Sequence, residues 1–136
     1  MTAMKSEPSR DLELSWLAGM FEARGSIVIN KSGKDAYTLR CVIVGIAKNI
    51  PELFQKQWHG FNKEITQPSN LKRQWKWAIA SEKALAFLKD IMPFIHTEPM
   101  RKRAQVALEF QSEKNDKGQQ LLYYRQMTEL NKEKID

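Results

Sequence analysis

Apolar residues early in the chain follow one period and then switch to another. Leu12, Trp16, Leu17, Met20 and Phe21 recur at the spacing of a helix until Gly25 ends the pattern, which predicts a first helix over residues 12–24. Residues 1–10 ahead of it read as a flexible arm. "SIVINK" is a short strand, "SGKD" is rich in turn formers, and "AYTLRCVIVGIA" is a longer β-branched run, so the two strands should pair as a hairpin. Asn49 stands as a helix N-cap with Glu52 three residues on, and "IPELFQKQWHG" is then a short helix closed by Gly60. A second hairpin follows from "NKEITQ", the turn "PSN" and "LKRQWKWAIA", in which Trp75, Trp77 and Ile79 alternate with Gln74, Lys76 and Ala78.

Ser81 is placed to cap "EKALAFLKDIM", whose stripe of Leu85, Leu88, Ile91 and Met92 is stopped by Pro93. Thr97 is the expected N-cap of "EPMRKRAQVALEFQ", with Pro99 in the first turn, where its missing donor costs little. A polar connector, "SEKNDKG", leads to a last amphipathic helix, "QQLLYYRQMTELNKEKI", with a fraying tip. The order helix, hairpin, helix, hairpin, helices predicts an α+β fold. It forms one domain over residues 11–136, its helices on one face of an antiparallel sheet and the other face left free.

Composition narrows the class. The 136 residues suffice for one core, and 42% hydrophobic with 28% charged residues is the balance of an ordered globular protein. The one cysteine, Cys41, lies in "LRCVIVGI", which excludes an internal disulfide and fits a buried small hydrophobe. No apolar run reaches the roughly 20 residues that span a bilayer. "MTAMKSEPSR" also lacks the apolar stretch of a secretory signal, so an intracellular location, in cytoplasm, nucleoid or organelle, is expected, with no membrane partner. His59 and His96 have no clustered partners, a single cysteine cannot build a zinc site, and no phosphate-cradling glycine loop is present.

Charge changes the picture more. Residues 31–76 hold nine Lys or Arg against three acids, an excess equal to the chain's whole net charge of +6. Basic charge gathered on one part of a fold is the footprint of a polyanion binder. Ser15, Gly19 and Ala23 fall four apart and line one face of the first helix with small side chains. Such a strip serves either a close contact with the chain's own core or a two-fold helix pair between subunits, with Trp16, Leu17, Met20 and Phe21 on the remaining faces read as core.

"LAGMFEARGSI" resembles the signature of the LAGLIDADG homing endonucleases: a small-residue helix, an acid-rich end, then Gly-Ser-Ile opening a strand. "LRCVIVGIAKN", "WKWAIASEKALAFLKDIMPF" and "RAQVALEF" are similar to later segments of single-motif members, in the same order, over residues 12–112. The resemblance implies the αββαββα fold with a saddle of antiparallel strands, followed here by extra C-terminal helices. It also implies a homodimer packed through the signature helices by Ser15, Trp16, Gly19, Met20 and Ala23, and double-stranded DNA held along the sheet. On that basis Asn30, Thr38, Arg40, Gln74 and Lys76 are candidates for base edges, since Asn and Gln suit adenine and Arg and Lys suit guanine. The competing reading of each is a solvated strand residue. Lys31, Lys34, Lys48, Lys72 and Arg73 are candidates for phosphate.

One departure bears on chemistry. In the family, the acid immediately before the signature's final glycine binds the divalent cations that drive cleavage. That position is Arg24, whose guanidinium has only donors and stays positive at any workable pH. Glu22, the signature's other acid, is a weak substitute, since two residues along a helix rotate it by roughly 200°. Supporting polar positions fall on Ala47 and near Met100, with Arg101 or Lys102 as possible replacements for the latter. The expectation is therefore a DNA-binding protein that has lost cleavage and needs no cofactor, with Arg24 either on a phosphate or in an internal salt bridge to Glu22 or Glu13. The rivals are an active nuclease using magnesium, through an atypical site or a heterodimer, and an intron RNA maturase.

Overall fold

The computed structural model describes residues 8–45, 47–66, 73–113 and 115–132. Helix α1 (Pro8–Arg24) runs directly into strand β1 (Gly25–Gly33), which pairs antiparallel with β2 (Ala36–Gly45). Helix α2 (Asn49–Trp58) leads to β3 (Phe61–Thr66) and β4 (Arg73–Ala80). Then come α3 (Ser81–Ile91), a short 3-10 turn, α4 (Glu98–Ser112) and α5 (Lys117–Lys132). The strands form one antiparallel sheet in the order β1-β2-β4-β3, with each hairpin joined as the periodicity predicts.

Alternation sets the two faces. Ile27, Ile29, Leu39, Cys41, Ile43, Trp77 and Ile79 are buried beneath the helices, where Trp77 meets Phe54 and Phe87 with ring centroids about 5 Å apart. Leu17, Phe21, Phe54, Phe87, Leu88 and Ile91 fill the core from the helical side. Cys41 lies in this core, and burial pushes its thiol well above the ordinary range, as expected of a packing residue. Gly25 is required where α1 meets β1, because a Cβ there would sit 2.2 Å from the Phe21 ring. Gly60, at φ +93°, is held between α2 and β4, and the Trp77 indole donates to the neighbouring His59 carbonyl at 2.6 Å.

Several boundaries differ from expectation. Helix α1 starts at Pro8, so the flexible arm predicted for residues 1–10 overlaps the helix at 8–10, and residues 1–7 lie outside those described. A proline opens a helix at little cost because its N–H would have no partner there. Asn49 is the first residue of α2 and not its cap, which is Lys48. Ser81 does not cap α3 either; it takes φ +56° at a strand-to-helix junction with no residue between the two elements. The turn "PSN" and the tip of the last helix lie outside the described residues.

Helix α5 closes the β1 edge. Asn131 donates to the Ile27 carbonyl at 3.0 Å and accepts from Arg103 at 2.7 Å, while Arg103 also bonds the Leu130 carbonyl near the end of α5. Arg103 is a buried cation whose guanidinium meets the negative end of a helix. No helix among the described residues is long and apolar enough to cross a membrane.

Candidate nucleic-acid interface

Strand register decides which side chains share the uncovered face. Asn30 pairs with Thr38, Val28 with Arg40, and Ser26 with Val42 across β1 and β2. Arg40 then pairs with Ala80, Val42 with Ala78 and Val44 with Lys76; Ala78 pairs with Phe61, Lys76 with Lys63 and Gln74 with Ile65. Every one of these alternates with a residue of the helix-covered face. Asn30, Thr38, Arg40, Gln74 and Lys76, proposed from sequence as one set, therefore lie on one surface.

Among the described residues this face carries three cations, Arg40, Lys63 and Lys76, and no carboxylate. Lys63 and Lys76 stand directly opposite each other, an arrangement that destabilises an isolated sheet. Sequence reasoning had not singled out Lys63, Ser26 or Phe61 for this face. Their facing depends on the β3–β4 and β1–β2 registers, which no local pattern fixes.

The phosphate candidates scatter. Lys34 is in the β1–β2 turn and Lys48 precedes α2, both exposed. Lys31 is on the helix-covered side, in a groove lined with Tyr124, Asn131 and Lys132. Arg73 points to that side as well and pairs with Glu64 at 3.5 Å, Arg73 largely in solvent and Glu64 about half exposed. Lys72 lies outside the described residues.

Arg24 is exposed at the last position of α1, two residues before Ser26 opens the free face. It forms no ion pair among the described residues, so the internal salt bridge to Glu22 or Glu13 is not made. Glu13 instead accepts from Gln57 at 2.7 Å. Glu22 is committed elsewhere: its carboxylate accepts the His96 amide at 3.1 Å and the Thr97 amide and hydroxyl at 2.7 Å each. A carboxylate from α1 thus caps α4, while Thr97, at the N-cap position expected of it, makes no side-chain cap bond of its own. Burial raises the Glu22 pKa, but the bonds from Thr97 and His96 outweigh it and the group ends below its ordinary value.

The supporting positions have surroundings of their own. Met100 is buried in the core, Ala47 is exposed, Lys102 is exposed between α4 and α5, and the Arg101 guanidinium donates to the Ile95 carbonyl at 2.6 Å. Among the described residues no group of three His, Cys, Asp or Glu side chains could hold a metal ion. At the two positions where the resembled family's signature carries acids, Arg24 offers a cation only donors, and the Glu22 oxygens accept hydrogen bonds from His96 and Thr97.

The strip on α1 is turned outward. Ser15, Gly19 and Ala23 are exposed, and a Cβ at Gly19 would have no neighbour within 4 Å, so the strip does not contact the chain's own core. Trp16, read partly as core, is 50% exposed and Leu12 73%, while Met20 is partly buried. They extend the strip because positions 12, 16, 19, 20 and 23 share a helical face.

No family model matches the chain, and no curated protein does. Solved structures do. The homing endonuclease I-CvuI, in complex with its target, aligns with a TM-score of 0.76 at 14% identity over 94% of this chain and 87% of its own. The archaeal intron-encoded homing endonuclease I-Vdi141I, complexed with DNA, gives 0.67 at 15% identity over 89% and 85%. The group I intron-encoded I-CeuI, complexed with DNA, gives 0.65 at 13% identity over 93% and 69%.

Proposed function

We propose that this chain, which has the LAGLIDADG homing-endonuclease fold, binds double-stranded DNA along the open face of its sheet as a homodimer and does not cut it. The observation that carries the reading is the cross-strand pair of Lys63 and Lys76 on the same face as Arg40, a face that carries no carboxylate among the described residues. Like charges facing each other weaken a sheet, and a polyanion laid over them turns the repulsion into attraction. The amide and hydroxyl groups of Asn30, Gln74 and Thr38 on the same surface suit the donor and acceptor pattern of the major groove. The solved relatives that share the fold include complexes with DNA.

The outward strip on α1 supports the homodimer. Two copies meeting there bury Leu12 and Trp16 against small residues that let the helices approach, and a surface used by both copies must fit itself. Arg24 then lies at the end of each paired helix, next to the free face, where it neutralises phosphate in place of the cation that the family's acid holds.

Selection from a pool of random duplexes tests the reading. Bound sequences should converge on a pseudo-palindrome, and Arg40→Ala should relax the preference at symmetric positions by about 1–3 kcal/mol. Preference for structured RNA over every duplex would count for a maturase instead, and sequences without symmetry would count against the homodimer.

A further inference from the structure

The open face holds a small apolar notch as well as its cations. Phe61, at the start of β3, is 52% exposed there, and its partner Ala78 and the nearby Ala80 carry side chains one carbon long. With Arg40 on one side and Lys83 at the rim, they enclose a depression of about 350 Å³. Gly60 fixes its end wall, since a Cβ there would sit 2.2 Å from Ile79 and 2.8 Å from the Ala78 carbonyl. A half-exposed aromatic ring that shares a depression with two alanines and two cations gains nothing within this chain from its exposure.

We infer that this notch is a base-reading subsite that takes the 5-methyl group of a thymine, next to a guanine held by Arg40. The inference rests on the proposed binding of duplex DNA and adds a chemical preference to it. In the major groove, thymine alone among the bases presents a methyl group, and Phe and Ala side chains are suited to contact it. Arg40 matches the two acceptors of guanine with a fork of two donors. Lys83, at the rim, meets the adjoining phosphate and holds the base edge against the ring. The notch also receives the methyl of 5-methylcytosine, which occupies the same position on the ring.

Two pools of random duplexes test this, one synthesised with thymine and one with uracil, which lacks only the methyl. Full-length protein should bind the thymine pool about fourfold more tightly for each subunit whose notch is filled, the effect of moving one methyl group out of water. Phe61→Ala should abolish that difference. Phe61→Leu should restore part of it, and both variants fold because the ring is exposed. Equal binding of the two pools by the unmodified protein overturns the thymine subsite and leaves DNA binding standing. Failure to bind either pool overturns both.

Discussion

Replacing Glu22 by Gln isolates what its charge does for the fold. Glutamine keeps the length and one acceptor oxygen but loses the second acceptor and the negative charge at the start of α4. The lost capping acceptor costs about 1 kcal/mol. The lost charge costs about 0.5 kcal/mol more, a value for a partly exposed carboxylate at a helix N-terminus. Unfolding entropy of about 2.1 cal/mol/K per residue converts the sum of about 1.5 kcal/mol to a fall in Tm of about 5 °C. The sign with pH follows from the depressed pKa. As pH falls, the unfolded chain takes up the proton first, so stability held above the ordinary value of about 4.5 is lost as the pH drops through the lower folded value. Thermal unfolding followed by circular dichroism should show the full gap between Glu22→Gln and the unmodified protein at pH 7. That gap should shrink steadily in acid. A variant with unchanged Tm at pH 7, or a gap of the same size at every pH, would refute the capping role.

Trp16→Glu should yield a folded monomer where the unmodified protein sediments as a dimer, because the ring is half exposed and serves little in its own chain. Arg103→Met should cost about 2–4 kcal/mol, since it leaves the Leu130 carbonyl and Asn131 without their donor. Hydrogen exchange should then accelerate in α5 before the rest of the molecule. Lys76→Ala should weaken binding to all duplexes alike and reduce the slope of log K against log salt by about one if its ammonium meets a phosphate. An unchanged slope would assign Lys76 to a base edge.

Much of the fold was legible in the residues because strand period and helix period are so distinct here. Trp75, Trp77 and Ile79 against Gln74, Lys76 and Ala78 gave both faces of β4 correctly, and "SIVINK" with "AYTLRCVIVGIA" gave the first hairpin. The five base-edge candidates came out on one surface for the same reason. What local pattern does not hold is long range. The resemblance already implies helix termination and packing for Glu22 more than metal binding, but the bond between Glu22 and Thr97 joins residues 75 apart, and the packed fold is what shows which helix the carboxylate caps. Trp16 reads as core by hydrophobicity alone, yet the small residues beside it mark an outward face. Lys63 and Phe61 depend on register between strands, which periodicity within one strand cannot supply.

The central claim is that this protein occupies its duplex and leaves it whole. Purified protein incubated with a plasmid carrying the selected pseudo-palindrome, in magnesium or manganese, tests it directly. The prediction is a salt-sensitive retarded complex with the plasmid still supercoiled, because Arg24 stands where the family's acid would hold the cation. Linear plasmid released by the unmodified protein would contradict it.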